Sequence, residues 1–239
     1  MTAATQPAVL AETHGAVCTV TLNRPDKRNA IDLQMRVVLA EAIEAAAADD
    51  TIRVIVIIGA GPAFCSGGDI STMKRLLPGQ ALDRVPDGAE GDSGDLDRPQ
   101  PVLAAVEGSA YGAGTALAAA CDRVVAAQDA TFATTFTNVG LAGDMGIFVS
   151  LPALGRYRAG APDADATTPL SAAEATAVGL VDVVAEPGEA LAHAYRDAQR
   201  LAAGPVQALA VIKRMLAVAP MTDRFDALDR GGGLSGRPF

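Results

Sequence analysis

The sequence predicts an α/β fold, because short β-branched runs alternate with alanine-rich helical stretches along most of its 239 residues. Two of the runs, Val54-Ile55-Val56-Ile57-Ile58 and Val102-Leu103-Ala104-Ala105-Val106, are apolar throughout, as strands buried on both faces are. Each leads into a turn of small residues: Cys65-Ser66-Gly67-Gly68-Asp69-Ile70 follows the first, and Gly108-Ser109-Ala110-Tyr111-Gly112-Ala113-Gly114 follows the second. Small residues let backbone approach a ligand closely. Two such turns, each leading towards a helix, can aim one backbone N–H apiece at the same oxygen. That is how an oxyanion is held.

The elements follow in order. Residues 17–22 are rich in β-branched residues and read as a strand. Asp32 is placed to cap a helix whose apolar stripe is Met35, Leu39, Ile43 and Ala46, at helical spacing. Residues 53–58 form the first buried strand. A short helix is expected over 71–77, ended by Pro78-Gly79. The polar stretch 83–100, with its prolines, glycines and aspartates, reads as a mobile loop. Then come the strand 102–106, an alanine-rich helix over 113–120, and short strands at 123–127 and 131–132. Ser171 caps a helix closed by Gly179; residues 181–184 read as a strand, and 190–203 and 206–218 as helices.

Composition narrows the function. Half the residues are hydrophobic, enough for a substantial core; few aromatics and many alanines point to helices packed closely on a sheet. A formal charge of −9 argues against a general nucleic-acid binder, which needs a basic field, although a local basic patch can still hold a phosphate-bearing ligand. Cys18, Cys65 and Cys121 lie far apart without Cys-x-x-Cys spacing, so they read as reduced, buried thiols, with neither a metal site nor a disulfide framework. No Lys or Arg precedes Arg24, and no apolar run approaches the roughly 18 residues of a membrane span. The expected setting is the cytoplasm, without a membrane partner.

Several motifs mislead. Gly59-Ala60-Gly61-Pro62-Ala63-Phe64 opens like a dinucleotide-binding fingerprint, but its third glycine falls on Phe64. His14 and His193 neighbour no nucleophile, and Ser66 and Ser109 lack the Gly-x-Ser-x-Gly elbow. Asp122, at a helix end, reads as a structural hydrogen-bond or ion-pair partner, and Asp49-Asp50 as a solvated turn.

With the upstream segment Leu22-Asn23-Arg24-Pro25-Asp26-Lys27-Arg28-Asn29-Ala30, the two glycine-rich turns resemble the crotonase (enoyl-CoA hydratase/isomerase) superfamily. The resemblance implies a spiral of ββα turns over residues 1–185 and a helical C-terminal region over 186–239, assembled as a homotrimer or hexamer. It implies an acyl-CoA thioester as substrate and no separate cofactor. It places oxyanion donors at the N–H groups of Gly68 and Ala113. It places coenzyme A contacts at Lys27, Arg28 and Ala30 and along Ser66, Gly67, Asp69 and Ile70. Arg24, Lys74 and Arg75 complete the basic clusters nearby.

The carboxylates separate the possible reactions. Hydratases of this family carry one glutamate three residues after the second donor and another in a Phe-Gly-x-Pro-Glu segment. Here those positions hold Ala116 and Phe136. Asp144, in Gly140-Leu141-Ala142-Gly143-Asp144-Met145-Gly146, matches the aspartate of isomerase-type members. A single base suffices to move a proton between two carbons, and an apolar surround raises an aspartate's pKa to suit both roles. The resemblance therefore implies double-bond isomerisation with Asp144 as acid and base. Enoyl-CoA hydration and non-catalytic acyl-CoA binding are the alternatives. Segments 78–100 and 159–166 and the C-terminal tail depart from the family pattern, so acyl-chain size is left open.

Overall fold

The computed structural model describes residues 6–71, 100–140, 143, 145–147, 150 and 168–218. Strands β1 (Val9–His14), β2 (Val17–Leu22), β3 (Val54–Gly59), β4 (Val102–Val106), β6 (Arg123–Ala127) and β9 (Val183–Ala185) form one sheet in the order β1-β2-β3-β4-β6-β9. β1 and β2 make an antiparallel hairpin; every later pairing is parallel. Gly15, at φ 62°, supplies the left-handed residue of the two-residue hairpin turn. β1 escapes the sequence reading because it is an exposed edge strand with little apolar alternation.

A second sheet joins β5 (Ser109–Tyr111), β7 (Thr131–Ala133) and β8 (Leu170–Ser171), with β5 parallel and β8 antiparallel to β7. The chain thus goes from β4 in the first sheet to β5 in the second, turns through helix α2 (Ala113–Ala120), and returns to β6. One strand per sheet followed by a helix is the repeating turn of the spiral. Residues 109–111 were expected as part of a turn. They are strand because β7 and the isolated Cys65–Ala110 bridge supply partners that local sequence does not reveal.

Alternation across β3 divides the core. Ile55 and Ile57 face the side that holds Phe64, Leu39 and α2, while Val54 and Val56 face helix α4 (Ala190–Ala202). Both faces are covered, which is why the run reads as continuously apolar. Alanines 190, 194, 198 and 202 form the stripe by which α4 lies on the sheet, so the abundance of alanine becomes close helix-to-sheet packing. The Glu107 carboxylate accepts hydrogen bonds from Gly188 N (3.1 Å) and Ala190 N (2.9 Å), satisfying free N–H groups at the start of α4.

Helix α1 (Leu33–Ala48) begins as its sequence predicts. Asp32 Oδ1 accepts from Met35 N at 2.8 Å, and Met35, Leu39, Ile43 and Ala46 are its buried residues. Helix α3 (Ala172–Ala177) carries a complete capping box between Ser171 and Glu174. The strand expected at 181–184 lies instead at Val183–Ala185, because the Leu180 and Val181 N–H groups bond back to Ala175 O at the end of α3. Asp122 is structural, as expected: its Oδ2 accepts from Val102 N and from Lys213 Nζ, both at 2.7 Å, tying helix α5 (Val206–Val218) to β4. Cys18 and Cys65 are buried free thiols, and Cys121 is half-buried.

The helix expected over 71–77 except Ser71, the loop expected over 83–100 except Gln100, Lys74, Arg75, and the atypical 159–166 and C-terminal stretches fall outside the described residues. Among the described residues, no helix is long and apolar enough to cross a membrane, and no cluster of His, Cys, Asp and Glu is placed to hold a metal ion.

Candidate active site

The two small-residue turns meet. Cys65 N donates to Ser109 O at 3.0 Å and Tyr111 N to Cys65 O at 2.8 Å, a parallel bridge that lays the 65–68 turn against the start of α2. Gly114 allows this approach, since a Cβ there would lie 2.5 Å from Cys65 O. Gly67 is required for a second reason. Its φ is 102°, and a side chain on it would press on Tyr111 O at 3.0 Å.

This junction opens into a cavity of about 280 Å³ lined by Gly67, Gly68, Gly112, Ala113, Thr135 and Phe136, with Ile31, Val139 and Met145 adding apolar wall. Hydrogen bonding distinguishes the amides around it. Gly67 N–H is directed to Cys65 Sγ (3.4 Å), Asp69 N–H to Ile31 O (2.8 Å) and Gly112 N–H to Ala133 O (2.8 Å). Neither Gly68 N–H nor Ala113 N–H has an acceptor among the described residues. Ala113 is the first residue of α2, so its amide belongs to the unpaired set that opens any helix, where the helix dipole also favours negative charge.

Cys65 is fully buried beneath the turn. Burial pushes its thiol up to about 11, against the lowering effect of the Gly67 N–H, so it stays neutral at physiological pH. A neutral sulfur here serves the Gly67 amide and is not a nucleophile.

Arg24 organises the charged wall. Its Nη1 lies 2.6 Å from Ala30 O and 3.0 Å from Asp32 Oδ2, and its Nη2 lies 2.9 Å from Asp69 Oδ2. Ser71 Oγ donates to Asp69 Oδ1 at 2.5 Å. This Ser71 hydrogen bond, helped by the Arg24 guanidinium and opposed by burial, holds the Asp69 carboxyl below the usual carboxylate range. The sequence grouped Arg24 with the basic cluster of its loop; in the structure its guanidinium is engaged by two carboxylates and a carbonyl of its own fold.

The predicted contact residues divide into two groups. Ser66, Gly67, Asp69 and Ile70 line the cavity with Gly68 and Ala113, and Ile70 is exposed at 64%. Ala30 is buried against Arg24, away from the lining. Lys27 and Arg28 stand exposed on the adjoining loop, which is joined to the turn by Ser66 N to Arg28 O (2.9 Å) and Ser66 Oγ to Lys27 O (3.3 Å). Among the described residues, neither cation is paired with a carboxylate. Asp144 lies outside the described residues, but its chain neighbour Met145 lines the cavity.

Two contributors escaped the sequence reading. Asn29 is completely buried at φ 56°, with Nδ2 donating to Ala60 O (2.9 Å) and Ala63 O (2.8 Å) while Oδ1 accepts from Arg24 N (2.9 Å). An asparagine tolerates that backbone and supplies both polarities, which was the available signal. Thr135 brings a hydroxyl to the cavity, and nothing local in the sequence marks it.

A two-sheet α/β spiral with a cavity where two glycine-rich turns meet defines the crotonase class of proteins. The sequence profile of the enoyl-CoA hydratase/isomerase family matches residues 12–227. Among known proteins, the chain is 35% identical over 214 residues to 1,2-epoxyphenylacetyl-CoA isomerase of Escherichia coli K12, covering 87% of this chain and 81% of that one. It is 33% identical over 213 residues to trans-2-decenoyl-[acyl-carrier-protein] isomerase of Streptococcus mutans, with coverage of 87% and 81%. The crystal structure of an enoyl-CoA hydratase from Mycobacterium smegmatis superposes with a TM-score of 0.84 at 31% identity, over 95% of this chain and 89% of that one. The chain belongs to the enoyl-CoA hydratase/isomerase family, within the crotonase superfamily, and is an enzyme of that family.

Proposed function

We propose that this enzyme moves the double bond of an enoyl-CoA thioester, with Gly68 and Ala113 holding the thioester oxygen and Asp144 carrying the proton. The base removes a proton from C2 of a 3-enoyl-CoA. The electrons of that C–H bond pass into the thioester, and the resulting dienolate oxygen accepts the Gly68 and Ala113 N–H groups. The proton then returns at C4, leaving the double bond between C2 and C3. Atoms and charge balance without a cofactor.

The observation that carries this reading is the apolar character of the two glutamate positions. Ala116 is fully buried, and Phe136 presents a ring to the cavity, so neither holds a proton or orients a water. Among the described residues two acids line the cavity, Asp32 and Asp69, and both are ion-paired to Arg24. A carboxylate stabilised as an anion is a weak base for a carbon acid. Asp144 is the remaining candidate in this part of the chain. Two relatives, from Escherichia coli and Streptococcus mutans, are themselves isomerases.

Lys27 and Arg28 are the cations proposed to meet the coenzyme A phosphates, with Ala30 and Ser66 to Ile70 following the rest of the carrier. Assembly as a trimer or hexamer belongs to the same proposal, and the exposed Ile212 and Leu216 on α5 offer apolar surface for a subunit contact. The test is solvent deuterium at C2 of a bound acyl-CoA. Exchange is expected; tight binding with no exchange identifies a non-catalytic binder instead.

A further inference from the structure

We infer that Thr135 is a third hydrogen-bond donor to the substrate's thioester oxygen, a side-chain hydroxyl added to the two backbone amides. The inference rests on the reading of Gly68 and Ala113 as donors to that oxygen. Thr135 opens the 3-10 turn Thr135–Val139, which contributes Thr135, Phe136 and Val139 to the cavity lining. Its Oγ1 lies 3.2 Å from the point a Cβ on Gly112 would occupy, and Gly67 Cα and Phe136 Cε1 lie 3.8 and 3.9 Å from the same point. The space left by the missing Gly112 side chain is therefore bordered by one hydroxyl, one apolar ring and the Gly67 backbone. Ala113, whose N–H has no acceptor among the described residues, is the next residue.

Hydroxyls at the start of such turns commonly bond to their own backbone. The nearby Thr115 hydroxyl is instead spent on carbonyls of other segments, with Oγ1 2.6 Å from Ala110 O and 2.9 Å from Ala133 O. Thr135 has no hydrogen-bond partner among the described residues, and it lines the cavity. A half-buried hydroxyl beside an apolar ring loses hydrogen bonds to water when an acyl chain fills the site. An oxygen that gains negative charge during the reaction is the acceptor that best offsets this loss, because hydrogen bonds to ionised acceptors are roughly twice as strong as neutral ones. The hydroxyl thus stabilises the enolate more than the ground-state thioester, and the rate gains more than affinity does.

The experiment uses butanoyl-CoA carrying 13C at the thioester carbonyl, bound to wild type, Thr135→Val and Thr135→Ser. Valine keeps the shape and removes the donor; serine keeps the donor. The infrared carbonyl band reads hydrogen bonding without requiring turnover, and C2 deuterium exchange reads enolate stabilisation. We expect the band to move to lower frequency on binding to wild type, to move back part-way in Thr135→Val, and to stay low in Thr135→Ser. Exchange should fall on the order of 10²-fold in Thr135→Val, the scale for one oxyanion donor, and change only a few-fold in Thr135→Ser. An unaltered band and rate in Thr135→Val overturn the role of Thr135 alone. A wild-type band that does not move on binding overturns the amide cradle with it.

Discussion

Arg24 Nη2 lies 2.9 Å from Asp69 Oδ2, joining the loop before α1 to the residue that follows Gly68. The same guanidinium holds Asp32, which caps α1. One cation therefore fixes the orientation of the 65–69 turn relative to the loop bearing Lys27 and Arg28. Asp69→Asn is expected to lower stability by about 1–3 kcal/mol, the cost of disrupting a largely buried charged partner.

The pH dependence has a definite sign. The Asp69 carboxyl titrates below its unfolded value of about 3.9. Its stabilising contribution is therefore fully present above that value and is lost as pH falls through the folded one. Denaturation curves of wild type and Asp69→Asn should differ most above about pH 5 and converge towards pH 3. A constant difference across that range would contradict the ion pair.

Ala113 supplies an amide, not a side chain. Ala113→Pro deletes the N–H at the first position of α2, where proline's fixed φ suits a helix. Turnover should lose about 2.7–4 kcal/mol of barrier stabilisation. Ala113→Gly, which keeps the N–H, should be mild. Near-normal turnover in folded Ala113→Pro protein would remove this amide from the mechanism.

Lys27 and Arg28 are exposed on the loop bonded to Ser66, without carboxylate partners among the described residues. Reversing both to glutamate is expected to weaken acyl-CoA much more than acyl-pantetheine, which lacks the nucleotide phosphates. Salt should shrink the gap by screening. Equal losses for both ligands would show that these cations do not read the nucleotide.

The thiols give a control on the fold. Cys65 is pushed up to about 11 by burial, and burial raises Cys121 and Cys18 as well. At pH 8 a thiol reagent should modify the native protein slowly and all three cysteines rapidly in denaturant. Fast modification of Cys65 in the native protein, located by peptide mapping, would mean that the 65–68 turn opens in solution.

Local signals made most of this legible. The α1 stripe, the Asp32 and Ser171 caps and the buried β3 and β4 strands all appear where propensity and periodicity placed them, because each is specified within one element. The meeting of Gly67 and Gly68 with Ala113 was anticipated from two strand-to-turn motifs. What stayed hidden depends on partners distant in sequence. β5 is strand only because β7 lies beside it, Arg24 is structural only because Asp69 reaches it, and Thr135 faces the cavity only because Gly112 leaves room. Ion-pair choice and side-chain aim arise from tertiary contact, and no window of sequence encodes them.

Asp144→Asn tests the proposed proton carrier. Asparagine nearly preserves shape but accepts no proton. With 3-enoyl-CoA and 2-enoyl-CoA supplied separately, wild type should form the conjugated product from the first faster than it hydrates the second. The variant should lose isomerisation while binding acyl-CoA with near-normal affinity, because the groups proposed to bind it, the Gly68 and Ala113 amides with Lys27 and Arg28, are left unchanged. Isomerisation at the wild-type rate in Asp144→Asn, or hydration outpacing isomerisation in the unaltered enzyme, would contradict it.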